Sequence, residues 1–273
     1  MSHTLPLPHA AKRPGAARLF KAATAFWFVT TVIGQLAFVA FIASFYGAST
    51  LTGQFELWNR KDLITGYVAG DTAGNLQFAA HVLLAALIVL SGLIQLVPQL
   101  RTHAPQLHRW NGRLFAALSA TMAIGGLALV WLRGTYLTLP GAISISLLAV
   151  LMLLATVQAV RHARARRFVL HRRWALRLFL LSSGVWFQRV GYMAWIILNG
   201  GPAGIGPRMD GPFDLAWGFG QFLLPLAMLE FHLWSERRGP SARLAAALTL
   251  TALTLVMAVG IAGTIAIMWW RWL

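Results

Sequence analysis

His108 and His171 stand in one recurring frame: Gln95, Leu107, His108 and Arg109 are followed 63 residues later by Gln158, Leu170, His171 and Arg172. Beyond the histidines the register slips by one, since Arg113 lies five residues after its His and Arg177 six. Two imidazoles on different helices at one depth form the axial ligand set of a b-type haem. Arg109, Arg113, Arg172 and Arg177 would then meet the haem propionates as charge-assisted pairs, and the chain would transfer electrons. Haem b through His108 and His171 is therefore one expected cofactor. At most one such group is expected, because two-haem bundles carry a His near each end of one helix, and fourteen residues after His81 this chain has Gln95. The competing reading makes these arginines, with Trp110 and Trp174, helix-end anchors that snorkel to a membrane interface.

A second set lies inside apolar runs. His81 has Gln77 one helical turn before it; Arg189 is flanked by Gln188, with Tyr192 three residues on. An intramembrane Arg costs about 2.5–3.5 kcal/mol even on lenient scales, so both ionisable residues should face a bundle interior and lie near each other. Asp71 or Asp214 could approach them from one boundary. Such a group would make a ligand or proton site; the alternative is a polar clamp that fixes helix packing. Glu230 and His232 could join the His108/His171 layer. His3, His9, His103 and His162 lie in basic segments and receive no role.

Other chemistries find no residues. The chain has no cysteine, which excludes disulfides, thiolate metal sites, iron–sulfur clusters and covalently attached haem. No Walker loop, HExxH, GxSxG or dinucleotide fingerprint occurs, and no metal site is expected.

The elements that must position these residues follow from composition. Of 273 residues, 58% are hydrophobic and 11% charged, with a mean hydropathy of +0.66, whereas a soluble domain carries about 25% charged residues. A hydrocarbon layer of about 30 Å takes about 20 helical residues to cross. Apolar runs of that length fall at 20–47, 75–98, 110–132, 138–160, 174–198, 213–235 and 243–270. The expectation is an all-α polytopic bundle of seven transmembrane spans, covering residues 20–273, after a disordered basic cytoplasmic tail at 1–19. The repeated frame implies that helices two and three recur as helices four and five, in a parallel repeat about an axis along the membrane normal.

The net charge of +16 would suggest nucleic acid in a soluble chain, but hydrophobicity argues against that partner here. An alternating path through seven helices places Lys12, Arg13, Arg18 and Lys21, three arginines at 101–113, seven at 161–177 and three at 237–243 on one face. By the positive-inside rule that face is cytoplasmic, so the N-terminus is inside and the C-terminus outside. Trp269, Trp270 and Trp272 then form an outer interfacial belt, and loops 49–74 and 199–212 are outer lids or entrances. Cations in the first turn of a helix are disfavoured by roughly 0.3–1 kcal/mol each, so something must offset them. Anionic head groups would do so at about 1 kcal/mol per basic residue, which makes the anionic bilayer surface the expected partner; no protein partner is readable.

The ordered set of His81, Gly92, Gln95, Arg101, LHRWNGR (Leu107 to Arg113), HRRWALR (His171 to Arg177) and Arg189 resembles a bacterial family of predicted membrane proteins, the domain of unknown function 2306, over about residues 65–195. In that family the second motif continues Arg-Ser-Tyr, whereas here it reads Arg177-Leu178-Phe179. The resemblance implies an inner-membrane location and a shared helical core, and it brings no activity. Three functions are thus expected in competition: a haem protein through His108/His171, a transporter or ligand-binding protein through His81/Arg189, and a structural membrane protein without catalysis.

Overall fold

The computed structural model describes residues 14–60, 66–134 and 138–273. Within them every long element is a helix and none is a strand, as hydrocarbon demands when each backbone N–H and C=O must find its partner inside its own segment. Helix α1 (Pro14–Phe41) passes through a π-helical stretch (Ile42–Gly47) into α2 (Ala48–Leu51). Then come α3 (Thr72–Leu96), α4 (Pro98–His103), α5 (Pro105–Trp131), α6 (Leu139–Arg164), α7 (Phe168–Ser182), α8 (Gly184–Leu198), α9 (Pro212–Ser235) and α10 (Pro240–Gly263). A second π-helical stretch, Thr264–Trp269, extends α10. The expected tail at 1–19 lies outside the described residues as far as 13, and the chain is already helical from Pro14.

Local sequence sets the starts. Asp71 caps α3 by accepting from the Gly74 N–H at 2.9 Å, and Thr138 caps α6 by accepting from Gly141. Proline opens α4, α5, α9 and α10, where its missing N–H would have had no partner anyway.

Five helices are long and apolar enough to cross a membrane: Gly15–Leu51, Thr72–Leu96, Pro105–Trp131, Leu139–Arg164 and Pro240–Trp272. They coincide with five of the seven expected spans. The expected span at 174–198 is two 15-residue helices, α7 and α8, meeting at Ser183. The expected span at 213–235 is α9, whose 24 residues include Asp214, Gln221, Glu230 and His232 and a proline at 225. The first is interrupted and the second is comparatively polar.

The helices form a circuit. α1 packs on α3, α3 on α5, α5 on α6, α6 on α7, and α8 on α10, which returns to α1; α9 lies across α6, α7, α8 and α10. Small residues let backbones meet where water offers no driving force. A Cβ on Gly260 of α10 would collide with the Val190 carbonyl of α8, and one on Gly34 of α1 would collide with Trp186 and Ile261. The two π-helical stretches bring Phe38 and Phe41 against Trp269, with centroids 5.4 and 5.5 Å apart, and Phe45 against Trp272 at 4.6 Å.

If the approach of α8 to α10 holds this circuit closed, Gly260→Leu should destabilise the protein by about 1–3 kcal/mol, the usual cost of overpacking. A lowered thermal midpoint in detergent checks this, and an unchanged midpoint would refute the close approach.

Candidate functional site

The two ends of the bundle differ: one carries the 199–211 loop, and the other carries the arginine-rich connections around 101–113 and 161–177. At the loop end Asp214, only 5% exposed, accepts from the Tyr192 hydroxyl at 2.6 Å and from the Gly206 and Gly211 N–H groups at 2.7 and 2.9 Å. Asp214 thus meets Tyr192 and pins the loop that precedes α9. Arg189 donates to the Val185 carbonyl at 2.9 Å and lies 5.3 Å from the Phe38 ring centroid, so its described contacts reach α1.

His81 meets a different helix. Its ring sits where a Cβ on Gly125 or Gly126 of α5 would come within 3.5 Å, and Gln77 Nε2 donates to the Gly125 carbonyl at 3.3 Å. Asp71 is engaged by Arg133 at 3.3 Å, whose guanidinium also donates to Asn75 Oδ1 and the Gly66 carbonyl. The acid expected to approach Arg189 therefore fastens the 66–71 segment to the end of α5.

At the arginine-rich end the two copies of the recurring frame make different contacts. Gln95 Nε2 donates to the His108 carbonyl at 3.0 Å, tying α3 to α5. His171 Nδ1 lies 2.9 Å from the Ala159 carbonyl, tying α7 to α6. His108 Nδ1 is buried with no hydrogen-bond partner among the described residues. Trp-x-x-Arg recurs as well: Arg113 lies 4.6 Å over Trp110, and Arg177 lies 4.7 Å over Trp174. Arg109 is exposed.

The cations of α7 find acids on α9. Arg177 forms a two-pronged pair with Glu230, at 2.8 and 2.9 Å. Arg172 Nη2 and His232 Nε2 both face one oxygen, Oε1 of Glu236, at 3.6 and 3.7 Å, and His232 stacks on Phe20 of α1 with centroids 4.3 Å apart. Glu230 and His232 thus join Arg177 and Arg172. Glu236 was not anticipated, because nothing local in the sequence signals a partner 64 residues away.

From this end a cavity of about 230 Å³ runs between α1, α7, α8, α9 and α10. Trp27, Phe187, Trp217, Pro225 and Met257 are among its mostly apolar walls, while Arg172 and His232 lie at one end. Trp217 reaches across to α8, where its Nε1 donates to the Gln188 carbonyl at 3.1 Å and its ring occupies the space a Gly191 side chain would need. Among the described residues no three His, Cys, Asp or Glu side chains gather to hold a metal.

Residues 78–206 match the sequence model of a family described as "Predicted membrane protein (DUF2306)". The resemblance read from the His/Arg pattern is borne out over that region, and with the apolar helices it supports a multi-pass membrane protein. No curated protein and no solved structure matches the chain.

Asp214→Ala would leave two loop N–H groups and the Tyr192 hydroxyl without their acceptor, at a cost of about 1.5–3 kcal/mol for bonds to a charged group. Tryptic cleavage after Arg208, inside the loop, should accelerate in Asp214→Ala and change little in Tyr192→Phe. Equal cleavage of wild type and Asp214→Ala would show that the carboxylate does not hold the loop.

Proposed function

We propose that this multi-pass membrane protein crosses the bacterial inner membrane seven times and binds a membrane-soluble molecule with an apolar body and one polar end. In this reading α7 and α8 together make one crossing and α9 another. The arginine-rich end is cytoplasmic by the positive-inside rule, with the N-terminus inside and the C-terminus outside, and anionic head groups lie against it. The hairpins α3–α5 and α6–α7 are read as the two halves of a parallel repeat.

The observation that carries the reading is the cavity. Small-molecule sites are concave and mostly apolar, with a few polar groups that fix orientation. The cavity has that distribution, with Arg172 and His232 at one end. His81 with Gln77, and Arg189 with its contacts on α1, are assigned the part of polar clamps between helices; Tyr192 belongs to the loop latch.

The redox alternative, a b-type haem between His108 and His171, is favoured by the His171 Nδ1 contact with the Ala159 carbonyl, which would orient the ring as in a metal-bound histidine. A haem also needs an apolar chamber between the two rings. The described cavity lies instead beside Arg172 and His232, and neither His108 nor His171 lines it. The purified protein is expected to show no Soret band, and a band lost in both His108→Ala and His171→Ala would restore the alternative.

The binding reading is tested with a brominated sixteen-carbon alcohol, whose bromine quenches tryptophan on contact. In detergent it should quench saturably, through Trp27 and Trp217. Leu253→Phe, which adds volume to the wall, should abolish the saturable component while keeping the unliganded thermal midpoint. Quenching that rises linearly and identically in both proteins would mean partition into the micelle and no site.

A further inference from the structure

We propose that the cavity is an anion-capped acyl site: its ligand is a single-chain amphiphile with a carboxylate head, held by Arg172 and His232, and Glu236 is the built-in competitor for that head. The proposal rests on the cavity being a ligand site and adds which chemistry its polar end selects.

Length is the first argument. The wall contributed by α9 runs from Trp217 to His232, fifteen residues at about 1.5 Å each. That is about 22 Å, longer than the hydrocarbon of one leaflet, half of about 30 Å. A chain lying along it would place its tail beside Trp217 and its head at the arginine-rich end.

The geometry of that end is the second argument. Arg177 and Glu230 satisfy each other with two short hydrogen bonds. Arg172 and His232 converge instead on the single oxygen Glu236 Oε1, at 3.6 and 3.7 Å, outside the 2.7–3.2 Å range of a good N–H···O bond. Among the described residues the Arg172 guanidinium makes no closer polar contact. The Glu236 side chain is 34% exposed, so water can take it up when it leaves. A carboxylate oxygen thus already stands at the point where the Arg172 guanidinium and the His232 ring meet, but loosely. A ligand carboxylate rising from the cavity would reach the same two groups at hydrogen-bonding distance while Glu236 turns outward.

The neighbours agree with an anion. Arg243 of α10 donates to the Glu236 backbone carbonyl at 3.0 Å, and Arg237 and Arg238 follow directly in sequence. From α1 the end is faced by the Phe20 ring, stacked on His232, and by Thr24, whose hydroxyl is spent on the Phe20 carbonyl. Glu236 is the one carboxylate among these groups. A two-chain phospholipid would present a phosphate here, yet the group that occupies the point is itself a carboxylate.

The test compares two sixteen-carbon probes, the brominated fatty acid and the brominated alcohol, by saturable tryptophan quenching at neutral pH. Wild type should bind the acid more tightly, by about tenfold or more for a charge-assisted contact. Arg172→Ala should erase that preference and leave alcohol affinity within about twofold, whereas Glu236→Gln should tighten the acid severalfold without changing the alcohol. Arg101→Ala, which removes the same charge away from the cavity, should keep the preference. If acid and alcohol bind alike in wild type, or if Arg101→Ala erases the preference as Arg172→Ala does, the head-group assignment is overturned while the cavity remains a site. If neither probe binds saturably, the cavity reading itself fails. Displacement of the acid by phosphatidylglycerol at equal concentration in nanodiscs would overturn the carboxylate in favour of a phosphate head.

Discussion

A hydrogen bond from Gln35 Nε2 to Ser183 Oγ, 2.8 Å long, holds α1 to the joint between α7 and α8. Both residues are buried, Gln35 completely, at a depth where no water can replace a lost partner. At Ser183 the helical ladder is interrupted, yet the Ser183 N–H still reaches the Phe179 and Leu180 carbonyls, and its hydroxyl donates to Phe179 while accepting from Gln35. Three residues on, Trp186 Nε1 donates to the Gly34 carbonyl at 3.1 Å. The joint is therefore fixed from α1 as well as from within. The interruption lets α7 pack on α6 while α8 packs on α10.

Charge at the arginine-rich end is balanced unequally. The first two turns of α7 carry His171, Arg172 and Arg173 where the helix dipole disfavours cations. Glu236 and Glu230, near the C-terminus of α9 where anions are equally disfavoured, face Arg172 and Arg177. Each helix end thereby offsets the other's misplaced charge. The α5 end has no such acid: Arg113 rests on Trp110, which is itself 66% exposed. Cation–π contact at an exposed site contributes only about 0.5–1 kcal/mol, so this half of the repeated frame is held more weakly. Two stretches of like sequence have thus come to face different surroundings, one without a described acid partner and one paired with the acids of α9.

This difference marks what could be read in advance. Apolar runs and polar breaks located five long helices to within a few residues, because hydropathy reports a property each segment has alone. The sequence offered Asp71 or Asp214 to the His81/Arg189 group, whereas Asp214 binds the Tyr192 hydroxyl and the loop before α9 and Asp71 pairs with Arg133. The Ser183 joint was not read in advance, although Ser182, Ser183 and Gly184 are residues at which helices kink; its partner Gln35 lies 148 residues away. Glu236 was passed over for a related reason: among charged residues after a helix it looks like ordinary solvated charge, and only the packing of α7 on α9 brings Arg172 and His232 to it. The cavity was the least legible feature. It is where side chains do not meet, and it depends on the Ser183 joint together with the bulk of Trp217, which lies over Gly191.

An apolar hole of this size is not neutral. Apolar walls that face unfilled space give up the dispersion contacts of close packing, and this space is partly open at its rim, where Leu224 and Val256 are each 43% exposed; that loss is a cost. Water does not relieve that cost, because apolar walls offer it too few hydrogen bonds. A hydrocarbon tail does relieve it, by restoring the dispersion contacts that the walls have lost. The tail has no reason to prefer this hole over the surrounding bilayer, where it is equally well packed. Preference must come from the end that is not hydrocarbon, and in the cavity described that end is Arg172 and His232. The selectivity of the site is consequently electrostatic even though nearly all of its surface is apolar. The loose carboxylate of Glu236, the weakest contact in the cluster, sets how much that selectivity can be worth.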